Sequence, residues 1–226
     1  MGELGMKVLV VGATGQTGKR VVQELLEQGM DVKALVRDMA KAAQVLPSDE
    51  RLDIVLGDVL KPETLAPAIA DCEAIVSATG AAPSFDPTGP YKVDYEGTKN
   101  LVDAASQASV SQFVMVSSLC VSRLFHPLNL FWGVLYWKQQ AEDYLKNSGV
   151  AYTIVRPGGL KNENNDQAIV MSAADTLFEG SIPRQKVAQV CAEALVQPSA
   201  KNKVVEIVTS ETTAPQPLPT LFANVG

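Results

Sequence analysis

Three glycines near the start of the chain have the spacing of a turn that binds a pyrophosphate group. Gly12, Gly15 and Gly18 follow a β-branched apolar run and precede an amphipathic segment, in the order strand, turn, helix. Glycine permits a sharp turn, close approach to a ligand and tight packing of the helix on the strand. The start of the helix then offers free N–H groups and a positive dipole end to an anion. A tight turn without a ligand is the alternative interpretation. The ligands predicted from this turn are Gly12, Thr14, Gly15, Gln16, Thr17 and Gly18.

The residues after the second predicted strand bear on the choice of dinucleotide. Arg37 follows that strand directly, and Lys41 lies one helical turn further on. A basic residue here accommodates a ribose 2′-phosphate, whereas an acidic residue binds the 2′-hydroxyl group. The sequence therefore favours NADP(H) over NAD(H). Asp38 is the counter-argument, unless its carboxylate only holds the Arg37 guanidinium.

Residues at the ends of later strands complete the predicted cofactor site. The carboxyl ends of parallel strands meet at one edge of a sheet, which is where such ligands bind. Asp58 is expected near the adenine, the segment 78–80 near the ribose on the nicotinamide side, and the segment 157–159 beside the nicotinamide. The ligands predicted from these positions are Asp58, Val59, Ala78, Thr79, Gly80, Ser117, Lys138, Pro157, Gly158 and Gly159.

The elements that must position these residues alternate along the chain. Apolar runs that alternate with amphipathic segments indicate a parallel sheet covered by helices on both faces. We predict an α/β fold of the Rossmann type: a doubly wound, mainly parallel sheet of about seven strands. One domain is expected to span 1–226, with a small C-terminal lobe from about 158 and a Pro/Thr-rich tail from about 212. The predicted strands are 7–11, 31–36, 52–56, 74–78, 113–117, 151–155 and 203–208, and the predicted helices are 16–29, 39–46, 62–69, 91–108, 131–147 and 184–197.

Composition narrows the possible functions. The 226 residues are 46% hydrophobic and 19% charged, which is ordinary for a globular domain, and the net charge of −6 comes without a basic cluster that would favour nucleic acid. The three cysteines share no metal-ligand spacing, so no metal site is predicted and reduced thiols in the cytoplasm are expected.

An aromatic-rich apolar run at 124–137 is too short to span a membrane. We expect it to cover the site and pack as core, with a membrane-surface or partner contact as the alternative.

Several short motifs resemble those of a known family, both in their residues and in their order along the chain. The strings at 12–18, 36–38, 57–59, 94–100, 116–118 and 155–159 resemble the atypical and extended branches of the short-chain dehydrogenase/reductase family, NmrA-like members included. The strings at 128–138, 156–159, 175–178 and 211–215 are similar to the NADP(H)-binding domains of dehydrogenase-like, redox-sensing subunits of the chloroplast Tic translocon. This likeness implies a cyanobacterial or plastid-lineage relative and a partner such as ferredoxin–NADP reductase. Flavin and biliverdin-IXβ reductases are similar more distantly.

The resemblance also implies which residues would be catalytic. The family uses a serine and a Tyr-x-x-x-Lys pair, in which the tyrosine moves the proton and the lysine holds the ribose. By this resemblance Ser118 and Lys138 occupy the serine and lysine positions, and Asp94 replaces a family asparagine. Val134 stands at the tyrosine position and has no proton to transfer. Tyr136 lies two residues before the lysine, about 200° around a helix, and is expected to point elsewhere.

Two hypotheses follow from the missing tyrosine. In the first, the protein is an NADPH-dependent oxidoreductase that reduces a flavin, a quinone-like or another small acceptor with a proton from solvent. In the second, it is a non-catalytic NADP(H)-binding redox sensor or scaffold that binds a protein partner or a membrane according to cofactor state. A conventional epimerase or dehydratase is disfavoured by Val134. His126 and Cys120 are each open to a structural or a functional interpretation, and the protein is expected to be a monomer or a homodimer.

Overall fold

A computed structural model describes residues 5–81, 86–130 and 132–226. Its main sheet has eight strands in the order β3-β2-β1-β4-β5-β6-β10-β8, and a separate pair joins β7 to β9. The prediction of about seven strands was therefore one short for the main sheet. The strands are β1 Lys7–Val11, β2 Asp31–Val36, β3 Leu52–Leu56, β4 Ala74–Ser77, β5 Gln112–Val116, β6 Tyr152–Pro157, β7 Gly159–Lys161, β8 Ala168–Ala173, β9 Ser181–Pro183 and β10 Lys203–Ser210.

The order of the strands creates a ligand-binding crevice. Neighbouring strands run parallel throughout the main sheet except β8, which pairs antiparallel with β10 at one edge. The chain extends the sheet in one direction from β1 to β3 and in the other direction from β4 onward. In such a Rossmann-like fold the crevice lies outside the carboxyl ends of the strands, where the order reverses. The glycine turn follows β1 and therefore lies at this reversal.

The helices differ from the sequence prediction mainly at their ends. The predicted helix 62–69 begins as a 3₁₀ turn at Pro62–Thr64, and the predicted helix 91–108 begins as a π-helical stretch at Tyr91–Glu96. The predicted start of the helix 131–147 includes Phe131, which lies outside the described residues. The helices are α1 Gly18–Glu27, α2 Met39–Val45, α3 Leu65–Ile69, α4 Gly97–Gln107, α5 Val134–Lys146, α6 Arg184–Val196 and α7 Leu218–Asn224.

Two apolar cores lie on opposite faces of the sheet. Helices α1 and α6 pack on one face, where Val21, Leu25 and Val187 are fully buried against the strands. Helices α3, α4 and α5 cover the other face, with Leu101 and Leu145 among the buried side chains. Each Å² of apolar surface removed from water contributes about 25 cal/mol to the free energy of folding, so these two layers are the main source of stability. Among the described residues, the helices are too short or too polar to cross a membrane.

The C-terminal part contains three strands that the sequence did not predict. Strands β7 and β9 have three residues each, which is too short for an alternating pattern to be recognised. Strand β8 lies at the sheet edge and is half-buried, and β10 inserts between β6 and β8. The segment from 158 onward therefore contributes β8 and β10 to the main sheet and also forms the separate β7–β9 pair.

Candidate cofactor and acceptor site

The glycine turn brings the backbone at the end of β1 into close contact with the backbone at the start of α1. Gly12 has a φ of +79°, which disfavours other residues, and its carbonyl accepts the Gly15 N–H at 2.9 Å. A Cβ added to Gly18 would lie only 2.1 Å from the Gly12 carbonyl oxygen. The Thr17 side chain makes no capping hydrogen bond at the start of α1. The turn thus keeps open the space that a pyrophosphate would fill, and its residues fit a dinucleotide.

A cleft of about 460 Å³ opens beside this turn, at the carboxyl ends of β1 to β4, and we call it the nucleotide cleft. Three of the six ligands predicted from the glycine turn do not line it: Thr17 and Gly18 are buried, and Gln16 is exposed. The predicted ligands that line it are Gly12, Thr14, Gly15, Arg37, Lys41, Asp58, Val59, Ala78, Thr79 and Gly80.

Two cations line one end of the nucleotide cleft. Arg37 and Lys41 are exposed there, and neither forms an ion pair within the described ranges. Asp38 instead caps helix α2, because its Oδ1 accepts the backbone N–H of Lys41 at 3.0 Å. The idea that Asp38 holds the Arg37 guanidinium is therefore wrong. Both cations are available to an anionic group of a bound nucleotide.

Lys138 does not line the nucleotide cleft, but it forms an ion pair beside Gly80, which does line it. Its Nζ is 2.7 Å from Oδ1 of Asp94, a residue of the π-helical stretch that is only 2% exposed. The other carboxylate oxygen, Oδ2, accepts the backbone N–H of Ala81 at 3.2 Å. A Cβ added to Gly80 would lie 3.8 Å from the lysine nitrogen. The ion pair thus holds the ammonium group beside the predicted ribose position.

No phenol replaces the missing tyrosine on helix α5. Val134 is the first residue of the helix, one turn before Lys138. Tyr136 is 40% exposed and packs edge-on against the Trp137 ring, with the centroids 5.0 Å apart. It lines neither the nucleotide cleft nor the second cleft described next. The expectation that Tyr136 points away from the site agrees with these contacts.

A second cleft of about 430 Å³ lies at the ends of β5 and β6, the strands that follow β4 in the sheet. Side chains from three further segments also reach it, among them His126, Phe178 and Arg184. The sequence gives no signal for a role of Phe178 or Arg184, because both lie far along the chain in segments with only weak patterns. The predicted site residues that line this cleft are Ser117, Ser118, Pro157, Gly158 and Gly159.

The two neighbouring serines differ in what their hydroxyl groups do. Ser117 is buried and donates to Oε1 of Glu142 at 2.6 Å, so its hydroxyl belongs to the interior. Ser118 is half-buried, lines the second cleft and makes no side-chain hydrogen bond within the described part of the chain. Ser118 is thus the serine whose hydroxyl is available to a bound molecule.

A buried ionic network underlies the second cleft, and two of its members, Glu142 and Glu206, were not predicted. The Arg156 guanidinium donates to Glu142 at 2.7–3.2 Å and to Glu206 at 3.2 Å, and all three side chains are nearly inaccessible. Burial lowers the pKa of Arg156, but the carboxylates outweigh this effect and hold the pKa above its usual range. An acidic residue in the apolar run of β10 was the available signal for Glu206, since a buried carboxylate needs a partner.

Glu206 also fixes a loop beside the second cleft. Its carboxylate accepts the backbone N–H groups of Asp175, Thr176 and Leu177 at 2.9, 3.0 and 2.7 Å. Partial burial raises the pKa of Asp175, but the Ser122 hydrogen bond and the Arg156 guanidinium outweigh it and lower the pKa. The next residues, 178–180, form part of the cleft wall. The network therefore sets the position of that wall.

The segment between β5 and α5 is ordered by polar contacts but exposes apolar side chains. Oδ1 of Asn129 accepts the N–H groups of Leu135 and Tyr136 at 3.0 and 3.1 Å, which caps helix α5. Phe125 is 96% exposed and Leu130 is 85% exposed, so the expectation that this run packs as core is wrong for most of its described residues. The exposed apolar side chains of this segment and of the first turn of α5 are Leu124, Phe125, Leu128, Leu130, Trp132 and Tyr136.

The sequence matches a family model described as NAD(P)H-binding over residues 12–198. The chain belongs to this family. An uncharacterized chloroplastic protein of Arabidopsis thaliana is 49% identical over 97% of the chain and 82% of its own length. Protein TIC 62 of Pisum sativum is 40% identical over 92% of the chain, and sanguinarine reductase of Eschscholzia californica is 31% identical over 89% of the chain and 88% of its own length.

A solved structure from Bacillus halodurans, assigned as an NAD-dependent epimerase/dehydratase, is similar with a TM-score of 0.85. It is 30% identical and covers 96% of this chain and 99% of that one. These likenesses agree with the Rossmann-like fold and with the expected atypical branch of the short-chain dehydrogenase/reductase family. The chain spans only 43% of the length of the pea TIC 62 protein.

The comparisons also correct the expected location. The relatives at 49% and 40% identity are both named chloroplastic. This finding overturns the expectation of a cytoplasmic protein.

Proposed function

We propose that this protein is an NADPH-dependent oxidoreductase that reduces a flavin, a quinone-like or another small acceptor without a tyrosine proton donor. The observation that carries the proposal is Val134 at the tyrosine position, one turn before a lysine that an ion pair holds beside Gly80 of the nucleotide cleft. Arg37 and Lys41 support NADP(H) over NAD(H), because both are available to a 2′-phosphate. The likeness to sanguinarine reductase supports a reductase.

The chemistry divides between the bound cofactor and the side chains. NADPH, when bound, supplies a hydride, and the acceptor takes up one proton from water to balance the two electrons. Lys138 holds the ribose, with Asp94 fixing the direction of its ammonium group. Ser118 donates a hydrogen bond to the acceptor in the second cleft. An acceptor whose reduced form takes its proton from solvent needs no acid on helix α5.

The test is turnover with NADPH and a panel of acceptors: dichlorophenolindophenol, a free flavin and a water-soluble quinone. We expect the protein to oxidise NADPH with at least one of them. Lys138→Met is expected to weaken NADPH binding, and Ser118→Ala to slow turnover. Tyr136→Phe is the matched control on the same helix and should leave turnover within about twofold. Tight NADPH binding without oxidation by any acceptor would refute catalysis.

We also infer a second candidate function, a non-catalytic NADP(H)-binding redox sensor. It is favoured by the exposed apolar segment, with Phe125 almost fully exposed, because apolar surface of this kind marks contact with a partner or a membrane. The resemblance to Tic subunits suggests a partner such as ferredoxin–NADP reductase. The test is binding to that enzyme and to anionic vesicles with NADPH or with NADP⁺. Equal binding in both states would contradict this function, and the Phe125→Ser/Leu130→Ser double variant identifies the surface.

A further inference from the structure

Two arginines from distant parts of the chain converge beside the second cleft. Arg184, the first residue of α6, donates to the Leu160 carbonyl at 3.3 Å and to Oδ1 of Asn162 at 2.8 Å. Arg20, in the first turn of α1, donates to the Asn162 carbonyl at 3.3 Å. Both guanidinium groups therefore contact one short segment, 160–162. Arg184 also lines the second cleft itself.

The charge of this pair is not balanced by the protein. Neither Arg20 nor Arg184 forms an ion pair with a carboxylate within the described ranges, although both are half-buried. Burial and the Arg20 charge both lower the pKa of Arg184. Within the part of the chain that the structure describes, Nη1 is the one nitrogen of the Arg184 guanidinium that donates to protein atoms, so several of its N–H groups are available. Half-buried like charges without a counter-ion repel, and an anion between them would relieve that repulsion.

We propose that Arg184, supported by Arg20, binds an anionic group of the acceptor. The substrate class is therefore a small conjugated molecule that carries a carboxylate, a sulfonate or a phosphate in addition to its reducible group. This inference rests on the proposed reductase function, because it assigns the second cleft to the acceptor. The planar fork of an arginine suits such oxyanions better than an ammonium group does. Glu179 also lines the cleft, but its carboxylate is not within ion-pair distance of Arg184.

The position of Arg184 favours the acceptor over the cofactor as the source of the anion. Arg184 lines the second cleft and does not line the nucleotide cleft, where the pyrophosphate is expected. Arg20 is less decisive, because it also donates to the carbonyl of Gln16 in the glycine turn at 2.6 Å. The cofactor diphosphate is thus the rival ligand of this pair, and an experiment must separate the two.

The experiment compares anthraquinone-2-carboxylate with its carboxamide, which have nearly the same shape but differ in charge. Binding of each is measured by tryptophan fluorescence with the full chain saturated by NADP⁺, so that no turnover is needed. We expect wild type to prefer the carboxylate. Arg184→Gln should weaken carboxylate binding roughly 10- to 100-fold and carboxamide binding less than twofold. Arg184→Lys should retain part of the preference. Lys186→Gln, which removes the same charge two residues further along α6, should change neither affinity.

The possible outcomes distinguish an acceptor site from a cofactor site and separate anion binding from the reductase function. Equal binding of the two probes by wild type, or equal weakening of both in Arg184→Gln, overturns the anion site. A loss of NADPH affinity in Arg184→Gln with an unchanged carboxylate preference assigns the pair to the cofactor instead. A carboxylate preference without NADPH oxidation keeps the binding site and refutes only the reductase function. If Arg184→Gln does not fold, Arg20→Gln is compared in the same way, with a smaller loss expected.

Discussion

Replacing Glu206 by glutamine is expected to be one of the most damaging single-atom changes in this protein. Oε1 accepts the Arg156 guanidinium at 3.2 Å and the Asp175 N–H at 2.9 Å, while Oε2 accepts the N–H groups of Thr176 and Leu177. Whichever way the glutamine amide is turned, its NH₂ group faces two donors and leaves both without an acceptor. Each buried donor without a partner costs about 1–3 kcal/mol. Arg156 keeps its ion pairs with Glu142 and Asp175, so the loss comes from the two unpaired donors, and we expect about 2–6 kcal/mol.

The assay is urea unfolding followed by circular dichroism, with the free energy of unfolding compared at constant slope. Glu163→Gln removes the same charge from an exposed position and should lie within about 0.5 kcal/mol of wild type. We also expect Glu206→Gln to increase proteolysis within 175–180, because three backbone hydrogen bonds that fix this loop are weakened. A loss below about 1 kcal/mol, with normal proteolysis, would show that Glu206 does not hold the loop in the way described.

Three further predictions follow. Arg37→Ala should weaken NADPH binding roughly 10- to 100-fold, as expected for a lost charge-assisted contact, and leave NADH binding within about twofold; equal weakening of both would contradict the 2′-phosphate assignment. Because the pKa of Asp175 is lowered from 3.8, its ionised form stabilises the fold above that pH, and this stability is lost as the pH falls through the folded value. Unfolding measured between pH 5 and 2 should therefore depend less on pH in Asp175→Asn than in wild type, and parallel curves would count against this contribution. Nδ1 of His126 accepts the Leu128 N–H at 3.2 Å, so its neutral ring should carry the proton on Nε2. His126 is the single histidine of the sequence. ¹⁵N NMR of untagged protein at pH 8 distinguishes the two tautomers, and a proton on Nδ1 would contradict this prediction.

Much of the fold was predictable because its signals are local. Strands β1 to β6 are largely apolar runs, and the helices between them are amphipathic, so each element is defined by its own residues. The glycine turn was predictable for the same reason, since Gly12 and Gly18 have no substitute at their positions. Strands β7 and β9 could not be predicted, because pairs of three residues depend on a partner about 22 positions away.

The candidate site was predictable only where the position of a residue along the chain is enough to place its side chain. Arg37 and Lys41 follow a strand and line the cleft, as their position requires. Ser117 could not be distinguished from Ser118, because the hydroxyl of Ser117 donates to Glu142 on helix α5, and such a contact has no sequence pattern. Long-range partners, rather than residue types, decide which polar groups remain available to a ligand.

The pairing of Asp94 with Lys138 is consistent with the absence of a tyrosine. In the usual pair, the lysine charge lowers the pKa of the tyrosine so that it can exchange a proton. A buried carboxylate 2.7 Å from Nζ offsets that charge, so this lysine would be a poor activator of a neighbouring phenol. The same carboxylate fixes the ammonium group beside Gly80, where positioning a ribose requires direction more than net charge. Val134 and Asp94 therefore fit one arrangement, in which the lysine holds the cofactor and the proton reaches the acceptor from elsewhere.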